Sequence, residues 1–218
     1  CQTTKHHQKV YCSIHSRINP YTSYTVTIDF FSNGVLYNHC ASQPKMCLEA
    51  PLEMLSITDS QLSESDLKAL SQCPGIYQLK HLNLSGVILT NINPEPLRVL
   101  LERVAATLRI LDLENYCHLE DSQLYAILPA LSRCSHLTKF SFYGNQISMP
   151  AMKDLLYHTT SLIYLRLELY PVPQDSYDYH GIPHLQRMQQ HCDELMKLLK
   201  TIREPGRVFF GTDRCDQC

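Results

Sequence analysis

Glycine is scarce in this sequence, with seven residues among 218. The tight phosphate-cradling turns of nucleotide-binding loops are correspondingly few, and no glycine-rich phosphate motif occurs. The paired histidines of a metalloprotease helix and the Gly-x-Ser-x-Gly elbow of the hydrolases are also missing. Excess positive charge is absent too. A formal net charge of −2 lacks the electrostatic footprint of a nucleic-acid binder. No run of about 18 apolar residues exists to span a bilayer. These absences exclude most enzymatic, nucleic-acid and membrane classes, and no cofactor or small-molecule substrate is implied. The chain begins at Cys1 rather than at a methionine, as expected for a piece of a longer chain.

Hydrophobic residues make up 44% of the chain and charged residues 18%, the composition of a folded protein. Ten cysteines are present. They lack the even, close spacing of a secreted disulfide framework. Cys73, Cys117 and Cys134 fall among apolar repeats, where a thiol behaves as a small filler. A reducing, intracellular setting, cytoplasmic or nuclear, follows as the expectation. The single glycosylation sequon, Asn83-Leu84-Ser85, sits inside a strand pattern and is accidental on this reading.

An internal repeat dominates what is there. Five segments place apolar residues at template positions 1, 4 and 6, and again near 11. They are Leu52/Leu55/Ile57/Leu62, Leu79/Leu82/Leu84/Leu89, Leu108/Leu111/Leu113/Leu119, Leu137/Phe140/Phe142/Ile147 and Leu162/Leu165/Leu167/Val172. Leu119 is displaced by one residue, which predicts a bulge near Tyr116–Cys117. Position 9, where an Asn or Cys satisfies turn backbone, matches outright only at Asn145.

Helix starts follow each strand segment. Ser63 with Asp66 resembles a capping box, Asn93 precedes Pro94, Asp121 precedes Leu124, and Ser148 precedes Met152. Pro129 is expected to kink or end its helix early. The pattern predicts an α/β leucine-rich-repeat solenoid, a horseshoe with a parallel concave sheet and outer helices, its strands starting near residues 54, 81, 110, 139 and 164. Three regions result. Residues 1–50 form an irregular or degraded N-terminal segment, in which Tyr24–Phe31 alternates like a strand. Residues 51–173 hold the five repeats. Residues 174–218 hold a capping helix from about Pro183 to Arg203, a last strand at Arg207–Phe210 and a Cys-containing tail.

Several phrases resemble the PRAME family (preferentially expressed antigen in melanoma and its relatives). They include Pro51-Leu52-Glu53-Met54-Leu55-Ser56-Ile57-Thr58, Leu70-Ser71-Gln72-Cys73-Pro74 and Leu128-Pro129-Ala130-Leu131-Ser132-Arg133-Cys134. The most distinctive are Ser141-Phe142-Tyr143-Gly144-Asn145 and Leu169-Tyr170-Pro171-Val172-Pro173. The resemblance covers about residues 50–218. It implies a non-enzymatic, protein-binding adaptor that recruits substrates to a cullin–RING ubiquitin ligase, acting in differentiation, proliferation and apoptosis. Its partners would be ligase components and a degradation target. The alternative is a transcriptional corepressor or regulatory scaffold without ubiquitin transfer. Residues 1–50 show no counterpart of the family's N-terminal ligase-docking motif.

In each strand, template positions 3, 5 and 7 point away from the core. Read this way, Asp112, Glu114, Tyr143, Tyr164, Arg166 and Glu168 converge on one concave patch that mixes both charge signs with two aromatics. That composition suits a protein epitope. Cys215-x-x-Cys218 has the spacing of half a zinc site. The remaining ligands would have to come from His180, His184, His191 or Cys192, and nothing in the sequence brings these near the tail; a reduced tail without metal is the expectation.

Overall fold

The computed structural model describes residues 24–29, 51–59, 62–114, 117 and 119–212. Seven parallel strands form one sheet in chain order. They are β1 Tyr24–Asp29, β2 Leu52–Thr58, β3 His81–Asn83, β4 Ile110–Asp112, β5 Lys139–Ser141, β6 Leu167–Pro171 and β7 Arg207–Gly211. Five helices connect β2 onward: α1 Glu64–Gln72, α2 Glu95–Val104, α3 Asp121–Leu131, α4 Met149–His158 and α5 Leu185–Ile202. Each helix packs on its neighbour in sequence, α1 on α2 through α4 on α5.

The helix starts follow the chemistry of their caps. Ser63 and Asp66 form the reciprocal capping box, with the Ser63 amide donating to Asp66 Oδ2 at 2.9 Å. Asn93 Oδ1 accepts from the Glu95 amide, and Ser148 Oγ from the Ala151 amide. At α3 the box is Glu120 with Gln123, one residue ahead of the Asp121 start read from sequence. Pro129 does not end α3, which runs two residues further. Its ring lies on the exposed side, where the carbonyl deprived of a donor faces water.

Alternate strand residues enter a single core. Leu55, Leu82, Leu111 and Phe140 occupy one register row and are buried, as are Ile57, Leu84, Leu113 and Phe142 two residues on. From the helices come Leu67, Leu97, Leu101, Leu124, Leu128, Met152 and Leu155. Burying one such side chain contributes roughly 1.5–3 kcal/mol.

Cross-unit polar contacts fix the turns after the strands. Asn145 Nδ2 donates to the carbonyls of Leu113 (2.8 Å) and Phe142 (2.9 Å), while its Oδ1 accepts from the Leu119 amide (3.0 Å). Cys117 repeats this pattern one unit earlier, its thiol reaching the carbonyls of Leu84 and Glu114. Cys117 thus holds the turn position of its unit. The bulge expected there falls partly on residues 115, 116 and 118, outside the described residues.

The fifth unit corrects the sequence reading. β6 starts at Leu167, not near 164, and Phe140 pairs with Glu168 rather than with Leu165. The first template position is therefore Leu165, 28 residues after Leu137, a spacing that restores the regular period. The turn confirms the alignment. Leu165 N donates to Leu162 O as Leu137 N does to Cys134 O and Leu79 N to Ile76 O. The shift arises because the 3-10 turn Thr159–Ser161 prolongs the end of α4 before the chain turns back.

β1 falls within the strand expected over Tyr24–Phe31 and pairs in parallel with β2. β7 matches the last strand expected at Arg207–Phe210.

Phe140 lies at the centre of the core, stacked on Phe142 at 5.6 Å and edge-on to Tyr170 at 6.0 Å. Replacing Phe140 by Ala should lower unfolding free energy by about 3–5 kcal/mol in urea titrations.

Candidate functional site

The sheet face opposite the core carries two registered rows of side chains. The first runs Met54, His81, Ile110, Lys139, Leu167, Arg207, and the second Ser56, Asn83, Asp112, Ser141, Leu169, Phe209. Strands lie about 4.8 Å apart, so neighbours in a row touch. The half formed by β2 and β3 is mostly small and polar. β6 and β7 present Leu167, Leu169 and Phe209, the last 54% exposed.

Between these halves stands an acid pair. Asp112 is almost buried, and its Oδ1 accepts from Ser85 Oγ at 2.9 Å and from the Glu114 amide at 3.3 Å. Lys139 Nζ approaches its Oδ2 at 3.4 Å. Glu114 is partly buried beside it. Burial first, then the Asp112 charge and a hydrogen bond to it, raise the Glu114 pKa above the ordinary carboxylate value. The fully buried Ser141 hydroxyl makes no well-formed hydrogen bond. It lies near enough to Glu114 to favour the ionised carboxylate. Tyr143 follows β5 and donates to the Thr212 carbonyl at 2.6 Å. Its ring lies where a Cβ on Gly211 would stand, so glycine is required there.

The six residues read from sequence do not form one patch. Asp112, Glu114 and Tyr143 lie on the open face. Tyr164 and Arg166 precede β6 at the edge where the chain enters the sheet, and Tyr164 stacks on His136 at 6.3 Å. Glu168 is turned inward and is 0% exposed, because the three-residue register shift reverses the alternation of this strand. Leu167 and Leu169 take the outward places that sequence reasoning gave to Arg166 and Glu168.

Inside, Glu168 occupies a row whose other places from β2 to β7 hold Leu, Phe and Val. Its Oε2 accepts from Tyr170 Oη at 2.7 Å and pairs with Arg203, whose side chain is nearly buried. Burial, followed by the Glu168 charge, pushes the Tyr170 hydroxyl well above its ordinary pKa. The Glu168–Arg203 pair ties the chain after α5 to the sheet.

The remaining candidates are structural or fall outside. His184 caps α5 by accepting from the Arg187 amide, and His191 Nδ1 shares a 2.8 Å hydrogen bond with Ser176 Oγ. Burial pushes the Cys117 and Cys134 thiols up to about 12 and that of Cys192 up to about 11, which keeps them protonated and unreactive. Among the described residues no cluster of three His, Cys, Asp or Glu side chains is placed to hold a metal ion. Cys215 and Cys218 lie outside the described residues. No described helix is long and apolar enough to cross a membrane.

Two outcomes follow from these charges. Arg203→Met strands the Glu168 carboxylate in the core and should cost about 3–5 kcal/mol of stability, much of it recovered in the Glu168→Leu, Arg203→Met double variant, as read by urea unfolding. For Glu114 the folded pKa is raised, so its ionisation opposes folding as pH rises through that value. Glu114→Gln should therefore be more stable than wild type at pH 7, with the two curves converging as pH falls below the ordinary carboxylate range.

Residues 23–218 match the profile of the PRAME C-terminal domain. Human PRAME family member 12 is 51% identical over 205 residues, which cover 91% of this chain and 42% of that protein. Human PRAME family member 20 is 54% identical over 172 residues, 79% of this chain and 36% of that protein. Mouse Oogenesin-2 is 44% identical over 190 residues, 87% of this chain and 39% of that protein. The chain thus spans about two fifths of the length of these relatives. With the domain profile covering most of its residues, the chain belongs to the PRAME family.

Proposed function

We propose that this chain is the recognition part of a non-enzymatic adaptor, a leucine-rich-repeat horseshoe whose concave sheet face holds a protein partner. In the cell, cytoplasmic or nuclear, the whole protein would serve as a substrate receptor of a cullin–RING ubiquitin ligase, with the held partner as degradation target. The observation that carries this reading is the open face itself. It places Asp112 in one row with Leu169 and Phe209, with Glu114 following Asp112 and Leu167 in the neighbouring row. A surface that mixes partly desolvated charge with exposed apolar groups has the makeup of a specific protein interface.

The test uses the full-length protein, captured from expressing cells with its associated proteins quantified by mass spectrometry. Glu114→Lys combined with Phe209→Ser should lose the degradation target by about tenfold or more, while cullin–RING components are retained and the thermal midpoint does not fall. If a correctly folded double variant retains every partner, the face is not the recognition surface. Absence of ligase components from both captures would refute the ubiquitin assignment alone.

A further inference from the structure

Five consecutive strands carry a cation at or next to the edge where the chain enters the sheet, at two neighbouring register positions. Lys80 directly precedes β3 and Arg109 precedes β4, Lys139 opens β5, Arg166 precedes β6 and Arg207 opens β7. The backbone of this edge forms one hydrogen-bonded ladder, in which Thr138 holds the edge position on β5. Arg109 N donates to Lys80 O, Lys139 N to Arg109 O, Arg166 N to Thr138 O, and Arg207 N to Arg166 O, at 2.7–3.2 Å. With strands about 4.8 Å apart, the five cations span roughly 20 Å, with Lys80, Arg109 and Arg166 at the edge position and Lys139 and Arg207 one residue inward.

Little compensates this charge. Lys80 pairs with Glu53 and Lys139 with Asp112. Arg109, Arg166 and Arg207 are exposed and have no ion-pair partner among the described residues, the nearby Glu168 being buried against Arg203. The field reaches neighbouring groups. His81, between Lys80 and Arg109, has a lowered pKa, first through burial, with both cations adding to the effect against Glu53. In a chain of net charge −2 such a row is a segregation of charge, not a reflection of composition.

We infer that this edge is a second docking surface, complementary to an acidic protein segment whose carboxylates meet Arg109, Arg166 and Arg207. Tyr164, 51% exposed beside Arg166, supplies the aromatic contact that an acidic peptide with interspersed apolar or aromatic residues needs. Arginine favours carboxylate because its planar donors engage both oxygens. A nucleic acid is the less suitable anion. With a net charge of −2 and an acid pair on the adjoining face, the chain lacks the broad positive surface that a phosphate backbone needs. The inference is independent of the ligase reading, since it uses a different surface.

The experiment measures fluorescence anisotropy of the full chain with a labelled twelve-residue peptide, three repeats of Glu-Ser-Glu-Tyr. The control replaces each Glu by Gln, and a twelve-nucleotide oligouridine RNA is run in parallel. The Glu peptide should bind and weaken severalfold as salt is raised. Arg109→Glu with Arg166→Glu should lose about tenfold or more in affinity at an unchanged thermal midpoint. Should that variant fold poorly, Arg166→Gln with Arg207→Gln makes the same test by removing exposed charge alone. Glu114→Gln should bind as wild type does, which separates this edge from the open face. Equal binding of the Gln control, full retention by the folded arginine variants, tighter binding of the RNA than of the Glu peptide, or no binding of the Glu peptide would each overturn the inference.

Discussion

Every unit in this chain has an apolar face that it cannot hide by itself. A strand of three residues and a helix of about ten make too little contact to be stable alone, and only a neighbour on each side removes their leucines from water. The period of about 28 residues is a consequence of that constraint. It returns the chain to the next rung with its apolar positions in register, so Leu82, Leu111 and Phe140 meet in one row. The turns are held in the same way across units. Asn145 and Cys117 each bond the strand before their own, so a unit's turn is complete only when its predecessor is in place.

The same constraint explains the cost of the terminal unit. Glu168 enters a row of Leu, Phe and Val, and it stays there because Arg203 and Tyr170 satisfy one of its oxygens. The other oxygen and Arg203 Nε are buried without partners. A well-packed apolar pair would serve stability as well or better. What the ion pair provides is registration, because it joins β6 to the segment leaving α5 and seats β7 beside β6 in one alignment.

The repeat was legible because apolar spacing is a direct record of burial. Four of five units and their caps could be read that way, and Asn145 was legible because its turn role demands one residue type. The fifth unit was misread for a physical reason. Its inward position holds a carboxylate, and Leu162, Leu165 and Leu167 offered a more apolar fit three residues early. The outlying spacing of that fit was the available warning. Charge at outward strand positions is legible by alternation, whereas charge just before a strand carries no periodic signal. Arg166 lies in that second place, at the edge and not on the face. At Cys117 a one-residue insertion moves the turn position, and apolar spacing records it only as the displaced Leu119.

Correcting the register separates two surfaces that had been merged. On the face, removal of Arg166 and Glu168 leaves the acid pair as the dominant charge, with leucines and Phe209 beyond it. On the edge, Arg166 joins cations from four other strands. Repetition produces both. A solenoid places equivalent positions about 4.8 Å apart, so any residue type favoured at one template position becomes a row. Leucine at the inward positions becomes the core, and arginine or lysine at the entry positions becomes a line of charge. Opposite signs are thereby held on adjoining surfaces of one small sheet. Lys139 stands between them, on the face row next to the edge, where its charge is taken up by Asp112.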